Sequence, residues 1–349
     1  MGIKCMETPR RGSAAVHAEP RRPASVSAVL RAGLPVIASN SVPGALRLNF
    51  REPPPTHRAR GRVNTVNLTP QGLVEHIKDL VTLPEVALRI SGMADDPTSS
   101  AADIGREISK DAALTARLLR VANSPAFGQH GKIATISRAI TVLGVRQVRD
   151  LTVGLTAIRT FDGIANELVT MESFWRHSLL CAVAAGHIAA RRGAGRNDAP
   201  FVAGLLHDVG QLVLFNRAPE MARQALLMSV DAIDDAGLHL CERRLMGFDH
   251  AAIGAALAQN WGLPRSLQEC IEFHHEPDRA QEYPLEVSTV HIANSVAVLA
   301  EIGSSDFGDA PPISAAALRA AQVDSADLAE AVLQTQQSAA EILPLLAAA

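Results

Sequence analysis

From Leu68 onward, apolar residues return every three or four positions, and no segment alternates apolar with polar. That pattern builds helices and not sheets. The chain is therefore expected to be all-α, with its core formed where apolar helix faces stack. The punctuation agrees. Thr69 offers an N-cap with Pro70 at the first helical position. Val86, Ile90 and Met93 share a helix face that Asp95-Asp96-Pro97 terminates, and Leu114, Leu118 and Val121 form another stripe, with Arg117 and Arg120 expected to turn away from it. Gly144 reads as a stop between two helices. Later helices are expected over 167–191, 200–216, 218–229, 231–246, 250–261, 265–273 and 284–302. An Ala-rich final helix is expected from Asp324 or Ser325 to about Leu346. The sequence carries no GxGxxG or Walker pattern, which excludes the common nucleotide-binding α/β motifs.

The apolar content, 47% of 349 residues, comes from Ala, Leu, Val and Ile, and aromatic residues make up only 3%. Base-stacking platforms for single-stranded nucleic acid have little to be made from. The net charge of −3 conceals two different polymers. Residues 1–62 carry +8, and the remainder −11. The first stretch also holds eight of the twenty prolines and lacks helical or strand period. Residues 1–66 are accordingly read as a disordered Arg/Pro-rich tail, the one part of the chain suited to nucleic acid. Cys5, Cys181, Cys241 and Cys270 form no CxxC pair, which fits a reducing cytoplasm, with the last three acting as small apolar residues. The apolar stretches 179–190 and 201–215 are interrupted by His187 and by His207-Asp208. No membrane span is expected.

That second interruption is where chemistry enters. Burying His207 and Asp208 inside Phe-Val-Ala-Gly-Leu-Leu-His-Asp-Val-Gly-Gln-Leu-Val-Leu-Phe would cost a few kcal/mol unless both find polar partners or an ion. His177, His250, the pair His274-His275 and Asn294 lie in or beside other apolar helical stretches. Imidazoles with one carboxylate suit a divalent transition metal, and helices converging inward are how all-α folds build such sites. The remaining histidines, His17, His57, His76, His130, His187, His239 and His291, read as ordinary hydrogen-bonded core or surface residues.

The order His, His-Asp, His, His-His resembles the HDOD family (HD-related output domain), itself related to the HD and HD-GYP metal-dependent phosphohydrolases. Leu83-Pro84-Glu85-Val86, the run Ile108 to Ser124 and Ile136 to Gly144 carry the resemblance in the first half. Ala203 to Gly210, Trp261-Gly-Leu-Pro264 and His274-His-Glu-Pro277 carry it in the second. The resemblance implies a two-lobed all-helical HDOD domain over 67–303, with lobes 67–160 and 161–303, followed by an Ala-rich helical segment 304–349. It also implies a bacterial signalling role as a non-catalytic output module. Input would come in trans from signalling proteins or a diffusible ligand.

Carried over by position, His177, His207, Asp208, His250, His274 and His275 match metal-ligand positions of the catalytic relatives. Three positions depart from them. Ser173 stands where a Glu is frequent, Gln211 replaces the lysine that contacts substrate phosphate, and Asn294 replaces an Asp ligand, leaving Gln211 and Asn294 as ligand- or phosphate-facing candidates. Two divalent ions would bring +4 against a single matched carboxylate, unless Glu272 or Glu276 points inward. The expectation is a degenerate site holding one divalent ion (Fe, Mn, Zn or Ni) rather than two, or none. The alternative is a metal-dependent phosphohydrolase or phosphodiesterase acting on nucleotides or cyclic dinucleotides, with Asp208 as its catalytic carboxylate.

Overall fold

The computed structural model describes residues 68–75, 77, 81–124, 127, 132–161, 168–191, 199–231 and 237–343. The expected tail, residues 1–66, lies outside the described residues. Among the described residues there is no strand, and the chain is all-helical.

The first half is a set of short, well-capped helices. Thr69 accepts from the Gly72 N–H at 3.1 Å and starts α1 (Pro70–Glu75). After α2 (Glu85–Asp95), Ser100 and Asp103 form a reciprocal capping box on α3 (Ala101–Ile108). Asp111 caps α4 (Ala112–Ala122) through the Leu114 N–H at 2.9 Å. Gly144, at φ 94°, separates α5 (Ile136–Leu143) from α6 (Val145–Thr160), a backbone conformation that favours glycine. Leu114, Leu118 and Val121 are buried as their spacing requires. Arg117 is buried with them, contrary to expectation, because α5 and α6 cover adjoining faces of α4.

In the second half, Thr170 caps the start of α7 (Met171–Arg191), which therefore begins later than the periodicity suggested. The expected single helix over 200–216 is two, α8 (Ala199–Leu206) and α9 (Val209–Arg217), broken at His207-Asp208. Two polar residues inside an apolar run gain their partners by leaving the helical ladder. Next come α10 (Pro219–Asp231), α11 (Leu238–Met246), α12 (His250–Asn260), α13 (Arg265–Phe273) and α14 (Pro284–Ile302). α14 is long and apolar enough to cross a membrane by length and composition, a stretch that interruption counting overlooked, but it is 72% buried inside the protein. It is a core helix, packed against α7 and α8.

One buried apolar cluster runs from Leu73 to Val290, so both halves share a core. Trp261 Nε1 donates to the Val81 carbonyl at 3.0 Å across that junction. A second cluster joins α7 and α14 to α15 (Ala315–Ala321) and α16 (Ser325–Ile342). His187 Nε2 meets Ser338 Oγ at 3.1 Å, and Arg191 pairs with Asp327 and Glu330, fastening α16 to the end of α7. The C-terminal helices thus cover the back of the second half. Cys181, Cys241 and Cys270 are free thiols and buried.

Candidate metal centre

The break between α8 and α9 places His207 and Asp208 at the meeting point of five elements. His177 arrives from the middle of α7, His250 opens α12, His274 and His275 follow α13, and Asn294 projects from α14. Donor atoms of Asp208, His250, His274 and His275 all lie within 4.8 Å of one another, and so do those of His177, His207 and Asp208. Asp208 belongs to both groups. All six sequence candidates therefore come together, and all but the half-buried His275 are buried. Asn294 Oδ1 lies 3.1 Å from His177 Nε2. Gln211 is buried in the first turn of α9, its main-chain N–H closing on the Asp208 carbonyl at 2.8 Å.

Hydrogen bonds on the outer side of the rings decide which nitrogens face inward. His207 donates from Nδ1 to the Gly204 carbonyl at 2.8 Å, and His274 does the same to Ile271 at 2.8 Å. In the neutral, ion-binding form of each ring, Nε2 is then the lone pair. These atoms approach Asp208 at 3.3 Å and 3.4 Å without forming hydrogen bonds. His250 donates from Nδ1 to Glu242 at 2.6 Å, and its Nε2 stands 3.2 Å from Asp208 Oδ1 and 2.9 Å from His275 Nε2.

The donor set fits a divalent transition ion. Metal–nitrogen bonds of about 2.1 Å at octahedral or tetrahedral angles put neighbouring donors about 3.0–3.4 Å apart. The measured separations fall in or next to that range. His177 Nδ1, His207 Nε2, Asp208 Oδ1 and His274 Nε2 are buried with no hydrogen-bond partner, which would be costly in a site meant to stay free of ions.

The electrostatics point the same way. Burial alone would raise the Asp208 pKa, but His207 and the contacts from His250 and His274 hold it well below the usual carboxylate range. Burial pulls His207 and His250 down, yet Asp208 beside the first, and Glu242 and Asp208 beside the second, outweigh it and hold both well above the ordinary imidazole value. His274 is lowered to about 4 by burial, and His275 well below its ordinary value by burial and its histidine neighbours. The interior thus gathers positive charge around Asp208 and Glu242, a role a metal ion takes over by displacing protons.

Several inward residues escaped the sequence reading. Glu242 braces His250, and the largely buried Glu301 side chain from α14 lies 3.6 Å from His177 Nδ1. His239, read as an ordinary histidine, stacks on His275 with ring centres 4.1 Å apart and planes 9° from parallel. Glu276, one proposed compensating carboxylate, is engaged instead by Arg243 and Arg279. Ser173 bonds back to Thr170 at the start of α7. A lone Glu or His within a helix carries no local signal of the side chain it meets after folding, and so these three residues stood out only in the structure.

Comparison with known proteins identifies the family and the fold. The HDOD domain profile matches residues 80–277. An uncharacterized protein of Treponema pallidum (strain Nichols) is 31% identical over 228 residues, covering 64% of this chain. The chain spans 43% of that relative's length. A candidate phosphohydrolase from Shewanella amazonensis SB2B superposes with a TM-score of 0.61 at 25% identity, over 78% of this chain and 97% of that one. An HDOD domain protein of unknown function from Geobacter sulfurreducens gives 0.54 at 26% identity, over 80% and 96%. A candidate signal transduction protein from Marinobacter aquaeolei VT8 shares the fold, with a TM-score of 0.57 at 21% identity over 81% and 68%.

Proposed function

This chain belongs to the HDOD domain family, and from that premise we propose that it is a cytoplasmic regulatory output module. Its buried His/Asp cluster binds a divalent transition metal and does not turn over phosphoesters. Asp208, His250, His274 and His275 hold the ion, and His177 and His207 complete the second side of Asp208. A bound ion supplies a fixed double positive charge that Asp208 and Glu242 are placed to balance.

The observation that carries the non-catalytic reading is the Asn294–His177 pair. Asn294 Oδ1 at 3.1 Å engages the nitrogen that an aspartate there would leave to share an ion, and the amide brings no charge. The Asn294 position thereby lacks the carboxylate that a two-ion clamp would use there. Gln211 compounds the loss, since a neutral amide cannot supply the fixed cation that stabilises a phosphoryl transition state. What remains is a rigid polar node joining α7, α9, α12, α13 and α14. Such a node suits a module whose state is read by signalling proteins, or set by a diffusible ligand, in trans.

The enzyme alternative draws on Glu301, which returns a carboxylate to the neighbourhood of His177. The two readings part on turnover. With Mn²⁺ or Fe²⁺ loaded, hydrolysis of bis(p-nitrophenyl) phosphate and of cyclic dinucleotides should stay at the level of metal without protein. Metal-dependent turnover that His207→Ala abolishes would replace the regulatory reading with the enzyme.

A further inference from the structure

We propose that Glu242 is a positioning residue for the metal centre: it fixes the tautomer and raises the donor strength of His250. This rests on the metal-binding reading above. Glu242 is 1% exposed and sits on α11, eight residues before His250. Its Oε2 accepts both the Nδ1–H of His250, at 2.6 Å, and the main-chain N–H of the same residue, at 2.8 Å. One carboxylate oxygen therefore fixes both the backbone and the ring of His250. In the neutral ring, with Nδ1 protonated toward Glu242, Nε2 is the lone pair that an ion would take, and it is Nε2 that faces Asp208 Oδ1 and His275 Nε2.

Capping alone does not account for Glu242, although its Oε2 also takes the first N–H of α12. The start of α12 is already capped by Asp249, whose Oδ1 accepts from the Ala252 N–H at 3.0 Å. Asp249 is in turn held by Arg243 at 2.7 Å, and Arg243 also reaches Glu276 at 2.6 Å. The loop between α11 and α12 is thus secured without Glu242. The second oxygen of Glu242 is buried with no hydrogen-bond partner. A charge left in that state answers to a cation on the far side of the imidazole, the carboxylate–histidine–metal arrangement that makes an imidazole a stronger donor. The same helix face carries His239, stacked on His275, so α11 supports two of the ligands on this side of Asp208.

The test is Mn²⁺ binding by isothermal titration on the full chain, alongside the melting temperature of the metal-free protein. Glu242→Gln keeps the shape and an oxygen to accept from Nδ1–H, but loses the charge. It should bind Mn²⁺ about 10- to 100-fold more weakly, with the metal-free melting temperature close to wild type. Glu242→Asp, which keeps the charge, should recover part of that loss, and it carries the comparison if the Gln variant fails to fold. Unchanged Mn²⁺ affinity in the folded variants, with or without a lower melting temperature, would make Glu242 merely structural and overturn the proposal. Wild-type protein that binds no Mn²⁺ would overturn the metal reading itself, and this proposal with it.

Discussion

Gly210 lies so close to the first turn of α12 that a Cβ on it would stand 2.0 Å from the His250 carbonyl oxygen and 2.5 Å from the Gly254 nitrogen. From the other side the fit is looser: a Cβ on Gly254 would lie 3.4 Å from the Gly210 nitrogen, and its close neighbour is instead Ile271 Cγ2 of α13, at 2.7 Å. Gly210 lets α9 pack against the backbone of α12, next to where Asp208 stands 3.2 Å from His250. The His/Asp cluster is built beside a helix crossing that leaves no room for a side chain at Gly210.

Gly210→Ala should therefore cost more than ordinary overpacking of about 1–3 kcal/mol, because the atoms in the way are main chain. Thermal denaturation should show a clear drop in melting temperature, and Mn²⁺ binding should weaken as Asp208 and His250 separate. A variant that melts like wild type would mean that α9 and α12 are not in backbone contact.

Restoring the missing carboxylate should change stoichiometry. Asn294→Asp places a charge against His177 Nε2, where the amide oxygen now sits at 3.1 Å, and adds an acid to the side that Asp208 and Glu301 already border. Metal analysis should move from about one ion per chain toward two. An unchanged ratio would show that Asn294 is not what limits occupancy on that side.

Away from the centre, His187 makes a pH prediction. Burial holds its pKa below the ordinary value, while its Nε2 contacts Ser338 on α16. The unfolded chain therefore binds the proton more readily, and stability falls as pH drops through the unfolded value of about 6.5 toward the lower folded one. Melting temperatures measured from pH 7.5 to pH 5 should fall less steeply for His187→Asn than for wild type. Identical slopes would remove His187 from the acid response.

The sequence displayed those features whose physical signal is local. Helix faces such as Leu114, Leu118 and Val121 declared themselves by period, and Thr69-Pro70 and Gly144 by their backbone chemistry. The clustered histidines were visible because imidazoles inside apolar runs need partners. The break at His207-Asp208 was not, since the apolar run continues through it and only the tertiary contact with His250 rewards leaving the helix. Glu242 and Glu301 were hidden for a related reason. A glutamate in Cys-Glu-Arg-Arg-Leu-Met has the look of a solvent face, and its partner His250 is adjacent only after folding. Arg117 was misjudged because two neighbouring helices cover more of α4 than one apolar stripe predicts.

The central claim is that a divalent ion sits on Asp208, which both donor groups share. The direct measurement is the metal content of wild-type and Asp208→Asn protein after loading with Mn²⁺ or Fe²⁺ and removal of free ion. About one ion per wild-type chain and almost none in the variant is the expected result, with both proteins equally helical by circular dichroism. Metal-free wild type, or metal retained by the Asp208→Asn chain, would contradict it.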